Sequence, residues 1–461
     1  MPWSDYVKKE QYEVTKNDFG DEFIKRWEDT YNTYQWDTPH IAKATMHVVL
    51  GQIPSVKYMR YYTSSTRYED GRVHVLWLQP SGTGKDGAHY FMSDTVPKIV
   101  ANELNMKYMV PDEFTDAAMV GTYEYIKKYD KESRGFREEK IKINGWLSKG
   151  KIDIFSMPEC SELFEASSQH KEGLMTRFQR AMDPIGRNKI TKILSKTGDD
   201  PITVEPECSF FLTSYIPPSF TKRVTERGFV QRMITIINDI PISSRINAMI
   251  KAVDGLGAKN SDIEKMNHEV GYLANYMSLV HKRYNEIGTP KTDTNTMGNL
   301  KAVVYHVQDM IEKVPRYQQK EIAKFTNRCL SHAMKLSYHH AILRMSDKVE
   351  IDDISYAEEY LYPIWRKLIH HFEDALESDQ KAVERENRET RWLNTAFQTL
   401  TNDGYGMDGW VFEHPLINTL SSMMRKNKDY VRRKIKSWVD ANYLEKVTFK
   451  GHPMVKRIQN R

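Results

Sequence analysis

The sequence predicts an α/β layer fold around a parallel sheet, continued by an all-helical region and closed by a small basic module. Three observations carry this. Residues 71–240 alternate short apolar runs with helical stretches, the pattern of parallel strands joined by crossover helices. Residues 241–375 show helical periodicity and no strand-like run. Residues 421–461 hold twelve Lys or Arg against three acids, on a chain whose net charge is only +5. At 461 residues there is room for about three domains.

The elements follow in order. Residues 1–70 read as a helical extension, with apolar and aromatic positions at helical spacing in FIKRWEDTYNTY and IAKATMHVVLGQI and no catalytic motif. The core, 71–240, takes its candidate strands at 73–78, 107–110, 152–157 and 208–213. In the helical region 241–375, Met266, Met277 and Met297 read as core, and His339-His340 as packed or solvated side chains rather than metal ligands. The charged run EDALESDQKAVERENRETR at 373–391 is either a solvated helix or a linker, and 376–391 is taken as the domain boundary.

The last domain, 392–461, begins with helices in RWLNTAFQTL, INTLSSMMRK and KDYVRRKIKSWVDANYL. The third sets Val431, Ile435, Trp438 and Val439 on one face beside Lys428, Arg432, Arg433 and Lys436. Two β-like runs around a Gly-His-Pro turn follow. Three helices and a basic hairpin make a winged-helix arrangement, whose third helix enters the major groove of DNA. The charge density favours DNA contact there.

Composition narrows the class. With 28% charged and 40% hydrophobic residues the chain is globular, and no apolar run approaches the roughly 20 residues that span a bilayer. The N-terminus MPWSDYVKKEQYEV lacks an apolar signal core, so the sequence reads as cytoplasmic, with no membrane partner. Cys160, Cys208 and Cys329 have no C-x-x-C spacing and suggest neither a zinc site nor disulfides.

The strongest chemical signal is VHVLWLQPSGTGKDGAHYF, residues 73–91. An apolar strand feeds the turn Pro80-Ser81-Gly82-Thr83-Gly84, and Lys85, Asp86 and Gly87 open a helix. Such a turn converges backbone N–H groups, the helix dipole adds positive potential, and the lysine reaches the terminal phosphates. Residues 80–87 therefore predict a nucleotide cradle. The match to G-x-x-x-x-G-K-[ST] departs at Gln79, in place of the first Gly, and at Asp86, in place of Ser or Thr. An ATPase of this class also needs an acid at a strand end, a polar γ-phosphate sensor and an arginine. Strand IDIFSM ends in Pro158-Glu159, SFFLTSYIPPSF exits through Thr213 and Ser214, and Arg232 follows a Gly-Phe turn that looks exposed.

The order of elements resembles an AAA+ ATPase of the minichromosome-maintenance (MCM) helicase type. RCLSHAMKLSYHHAILRMSDKVEIDDISYAEEYL, from Arg328, is similar to the MCM lid pattern, with Arg328 on the sensor-2 arginine and Lys335, His340-Ala341 and Asp353 on later positions. Gly228-Phe229-Val230-Gln231-Arg232 resembles L-L-S-R-F, which implies that Arg232 is the arginine finger. Met119-Val120-Gly121-Thr122 resembles G-L-T-A. RAMDPIGRNKITKILSKTG resembles the segment leading into the pre-sensor-1 hairpin, which implies a DNA-contacting pore lysine at Lys196. The similarity covers about 73–360 and leaves out 1–70, where the family's zinc-ribbon and OB-fold ring is absent. The chain looks like a reduced viral or plasmid-type relative.

Two departures stand together: Pro158 occupies the family's Walker B aspartate, and Asp86 the Walker A Ser or Thr. Mg²⁺ takes one or two protein oxygens and fills its octahedron with phosphate and water. One carboxylate shifted from strand to loop would leave Asp86 as the metal holder, with Asp153 the next candidate. Tyr123, Tyr125, Lys127, Lys128 and Arg134 lie in an insert that suits either a DNA-contacting loop or a charged surface loop. The expectation is a ring-forming, hexameric DNA helicase or translocase using ATP and Mg²⁺. In it Lys85, Glu159, Ser214, Arg232 and Arg328 are catalytic, and DNA is held single-stranded in the pore and as duplex at the winged helix. The alternatives are an ATP-switched initiator or loader and a remodeller of protein partners.

Overall fold

A computed structural model describes residues 20–34, 40–62, 66–80, 85–100, 106–110, 115–130, 135–165, 169–192, 200–216, 228–238, 246, 250, 260–326, 328–440 and 443–457. The chain divides into two compact units, Met1–Glu373 and Asp374–Arg461.

The first unit is organised by a five-stranded parallel sheet. Its strands in chain order are β1 (Val75–Leu78), β2 (Tyr108–Met109), β3 (Ile154–Met157), β4 (Ser209–Ser214) and β5 (Ile234–Ile237). Their spatial order is β5-β1-β4-β3-β2. VLWL, IFSM, SFFLTS and ITII are buried along their whole length, as expected of a parallel sheet covered on both faces. Four strands fall within a residue or two of their expected positions. The fifth was hidden in the apolar run after Arg232, whose short length does not separate strand from loop.

The register fixes what stands at each edge. Leu78 pairs with Ser214 and Ile237, and Met157 with Leu212, so Gln79, Pro158-Glu159 and Ser214 share the C-terminal edge. Val75 pairs with Phe211 and Ile234, and Ser209 with Ile154, so Arg72, Asp153 and Arg232 belong to the N-terminal edge. The segment 1–70 supplies α1 (Asp21–Tyr34) and α2 (Ile41–Leu50), both packed into the core. Phe23 stacks on Tyr276 at 4.6 Å, and Trp27 meets Phe91 edge-on. Lys85–Tyr90 is helix α3, prolonged by a π-turn and Val96–Val100.

Between β2 and β3 the insert is a two-stranded ribbon, Gly121–Asp130 against Gly135–Asn144. Its β character was not anticipated, because lysines on both strands, with tyrosines on the first, look like a polar loop. A shorter pair, Ile190–Lys192 with Ile202–Val204, precedes β4, and Lys192 Nζ donates to the Gly121 carbonyl at 3.0 Å.

Helices then dominate: α4 (Gln169–Ala181) before β4, and α5 (Asn260–Ile287), α6 (Thr294–Glu312), α7 (Arg316–Thr326) and α8 (Cys329–Leu343) after β5. Met277 is buried in α5 and Met266 half-buried. His339 and His340 are packed, as expected. His339 Nε2 donates to the Gly71 carbonyl at 2.9 Å, and its Nδ1 meets His47 Nδ1 of α2 at 3.2 Å. His340 bonds Asp353 at 2.7 Å and Asp21 at 3.3 Å.

Helix α9 (Ile351–Asn402) runs 52 residues, through Pro363 and the charged stretch, so 376–391 is helix. In the second unit its last turns join α10 (Glu413–Met424) and α11 (Lys428–Asp440). Leu393, Ala396, Leu400, Leu416, Leu420, Val431 and Ile435 form the core, with Trp438 and Val439 packed against it. The hairpin β8 (Leu444–Phe449) and β9 (His452–Arg457) is as expected, but β6 (Gly406–Met407) and β7 (Trp410–Phe412) enlarge it to a sheet of order β6-β7-β9-β8.

Candidate functional site

The C-terminal edge of the sheet gathers one group of expected residues. Ser81, Gly82, Thr83 and Gly84 lie outside the described residues. Pro80 stands just past β1, and Lys85, Asp86 and Gly87 open α3. Lys85 is buried and its Nζ lies 3.4 Å from Glu159 Oε2. Glu159 Oε1 accepts from Ser214 Oγ and from the Ser161 amide, each at 3.0 Å. The structure thus brings Lys85, Glu159 and Ser214 into one hydrogen-bonded group, with Glu159 45% exposed at its outer side. A lysine, an acceptor carboxylate and a hydroxyl beside a helix N-terminus are groups that can hold an anion and orient a water.

Asp86 is exposed in the first turn of α3. Among the described residues no three His, Cys, Asp or Glu side chains cluster as metal ligands. A Mg²⁺ here would take most of its oxygens from phosphate and water, which fits the one or two carboxylates that this ion needs. Asp153 does not qualify as a second choice. It stands at the N-terminal end of β3, where Lys57 Nζ holds Oδ1 at 2.6 Å and the Lys107 amide holds Oδ2 at 2.9 Å.

Two residues that the sequence reading passed over, His89 and Ser156, support this edge together with Thr213. His89, one turn after Lys85, is buried between Ser156 of β3 and Thr213 of β4. Burial, with the neighbouring Lys85, pushes its pKa down to about 3, so the ring is neutral. Thr213 Oγ1 donates to the Pro158 carbonyl, and the Thr213 carbonyl accepts the Cys160 amide at 2.8 Å. A histidine in an apolar helix pattern was the only signal, and it is ordinary.

A second group sits at the N-terminal edge. Arg232 Nε donates to Asp183 Oδ1 at 2.9 Å, its Nη1 donates to the Gly228 carbonyl at 3.0 Å, and Arg328 Nη2 reaches the same Asp183 oxygen at 3.4 Å. The two expected arginines therefore stand together, away from Lys85. Phe229 is fully buried, edge-on to Phe164 at 5.7 Å, so the Gly-Phe turn is not exposed as expected.

Asp183 is held from below by Arg72, which is wholly buried. Arg72 pairs with Asp70 at 2.8 Å and donates to the carbonyls of Asp183, Ala181, Pro206 and Cys208. Burial alone would raise the Asp70 pKa, but Arg72 and Lys335 outweigh it and hold the carboxyl low. Lys335 is buried too, 3.2 Å from Glu69 and 3.0 Å from the Arg72 carbonyl. Arg72, His74, Arg232, His332 and Lys335 line a cavity of about 10 Å³, the room of one water.

Two surfaces carry the residues expected to meet a polyanion. Lys196 and Arg134 lie outside the described residues. On the ribbon, directly paired residues share a face. Tyr123, Lys127, Tyr129, Phe136, Lys140 and Lys142 fall on one side, with Lys140 Nζ 4.4 Å from the Tyr123 ring centre. Tyr129 and Phe136 are 55% and 73% exposed. On α11, Lys428, Arg432, Arg433 and Lys436 are all exposed, opposite the buried Val431 and Ile435. Arg432 pairs with Asp429 at 2.7 Å.

Compared with models of known protein families and with curated proteins, the chain matches none. Among the described residues no helix is long and apolar enough to cross a membrane.

Proposed function

We propose that this chain is a ring-forming, DNA-stimulated ATPase of the AAA+ type, a helicase or translocase serving replication of a virus or plasmid. One observation carries the reading. The β5-β1-β4-β3-β2 order sets Lys85, Glu159 and Ser214 at one edge of the sheet and Arg232 with Arg328 at the other. Val75 to Leu78 alone spans roughly 10 Å at a strand rise of about 3.3 Å per residue. Arginines tied to Asp183 at the far edge do not serve their own chain's Lys85. They suit the nucleotide of a second copy, and that is what makes a ring, here a hexamer, the working form.

In this reading Lys85 holds the β- and γ-phosphates beside the turn 80–84, and Glu159 orients the attacking water. Ser214 fixes that carboxylate and senses the γ-phosphate. Asp86 would hold Mg²⁺, which supplies neutralisation of phosphate charge. Arg232 and Arg328 swing from Asp183 to the neighbour's phosphate as charge develops there. The aromatic and lysine face of the ribbon suits single-stranded DNA, since stacking is sequence-tolerant and lysines track phosphate. Lys196, the pore lysine that the resemblance implies, would add a further phosphate contact. The second unit reads as a winged helix that meets duplex DNA through α11.

The deciding experiment is ATP hydrolysis with and without single-stranded DNA, for the parent and for Lys85→Ala, beside a strand-displacement assay. DNA-stimulated turnover that Lys85→Ala abolishes, with displacement, is the expected result; Lys85→Ala turning over at the parent rate ends the proposal. Turnover without displacement selects the other reading, an ATP-switched initiator or loader. Pro158, which removes a metal-binding carboxylate from the strand end, favours that reading.

A further inference from the structure

Helix α3 and the strand end bearing Glu159 are joined by a hydrogen-bond chain whose direction is forced. Thr213 Oγ1 lies on the Pro158 carbonyl, which accepts and never donates, so the threonine spends its proton there. At 3.1 Å from His89 Nε2 the same oxygen can then only accept, which puts the ring proton on Nε2. Nδ1 is left as an acceptor, and Ser156 Oγ donates to it. The chain runs Ser156 to His89 to Thr213 to the peptide carbonyl that precedes Glu159. Each side chain in it is buried.

The placement gives the chain a use. His89 follows Lys85 at i+4 and so lies on the same helix face. Thr213 grips the Glu159 segment twice, through Pro158 O and through the Cys160 amide, while Ser214 holds the carboxylate itself. Pro158 has no N–H and no acidic side chain with which to fix its own position. We infer that His89 is a positioning residue that locks the Glu159 backbone to the Lys85 helix, so that a phosphate held by Lys85 finds the carboxylate in place. The inference rests on the nucleotide reading of that edge. His89 acts through Ser156 and Thr213, the two side chains that it meets.

The test uses the full chain and three measurements on His89→Leu and His89→Gln. Leu removes both hydrogen bonds; the Gln amide can still donate to Thr213. A reacting group displaced by about 1 Å loses up to about 100-fold in rate. The expectation is thus a kcat lower by roughly ten- to a hundredfold in His89→Leu. The Kd for a fluorescent ATP analogue should stay near the parent value, and His89→Gln should recover a large part of kcat. The third measurement is the ¹H–¹⁵N spectrum of the histidine rings, with His89 assigned by its loss in His89→Leu. It should show a neutral ring protonated at Nε2.

A parent kcat in His89→Leu overturns the inference, as does a parallel loss of kcat, nucleotide affinity and Tm that Gln fails to rescue. A ring protonated at Nδ1 overturns it without reference to activity. A parent that hydrolyses no ATP, or an undiminished Lys85→Ala, overturns the function reading instead and takes the role of His89 with it.

Discussion

The two edges of the parallel sheet use charge in opposite ways. At the C-terminal edge Glu159 is 45% exposed and held by a hydroxyl, an amide and one lysine. At the N-terminal edge Arg72 and Asp70 are almost fully buried, with every arginine nitrogen engaged. An exposed, lightly held charge can change partners when a ligand arrives. A buried ion pair has lost its hydration, so it cannot let go without a large penalty. The first arrangement suits chemistry and the second architecture. Arg232 and Arg328 stand between them, since they are part-exposed but lean on Asp183, which Arg72 holds in place.

The largest effect that bears on this contrast is expected from Arg232→Ala. Arginine fingers are worth about 10³–10⁵ in rate, so this variant should bind ATP and scarcely turn it over. Mixed with Lys85→Ala in co-assembled rings, it should recover activity at interfaces pairing an intact turn with an intact finger. No recovery, with co-assembly demonstrated, would place the arginines outside any shared site.

Next come the stability consequences. Arg72→Leu leaves Asp70 buried beside Lys335 and should cost roughly 3–5 kcal/mol, the usual penalty for breaking a buried pair. Glu159→Gln should abolish hydrolysis yet leave Tm close to that of the parent, because its carboxylate is half in water. Thermal melts of both variants check the pair. Similar Tm losses in the two would erase the distinction between the edges.

Acid should separate the two units more gently. Burial holds His89, His332 and His339 down to about 3, and His47 and His74 well below their ordinary value. The unfolded chain binds protons at these histidines near pH 6.5 and the folded chain does not. Their contribution to stability is therefore whole above about pH 6.5 and is lost as pH falls from there toward 3. All five lie in the first unit, while His414 and His452 of the second are exposed. Calorimetry between pH 7 and 5 should show the first unit's transition falling further than the second's. A larger shift in the second would contradict the buried-histidine account.

The smallest effect concerns the basic face of α11. Lys428→Ala and Lys436→Ala should each lower the slope of log K against log salt for duplex DNA by about 0.9. An unchanged slope would make the second unit a protein-contact module.

Much of this was legible in the sequence, and the reasons differ by element. The strand before residue 79, the acid after IDIFSM and the hydroxyls ending SFFLTS were readable because an apolar run and the polar residues that close it are a local pattern. The amphipathic third helix of the last unit was readable because 3.6-residue periodicity is written in the chain itself. The ribbon 121–144 escaped because it pairs with itself and buries little: Ile126, Ile141 and Ile143 on one face and Tyr129 and Phe136 on the other stay exposed among charged residues. The burial of Arg72 and of Lys335 escaped because a charged residue shows nothing of it until its partners arrive from elsewhere in the chain.

By itself the sequence determined the α/β core, the helical region after it, the basic helix-and-hairpin module, and which residues stand at strand ends. Tertiary structure alone decided that Arg232 and Arg328 share Asp183, that Asp153 faces the wrong edge, and that His89 lies between two strands. Local pattern sets where a strand ends; the order and register of neighbouring strands, which no single segment encodes, set what that end meets.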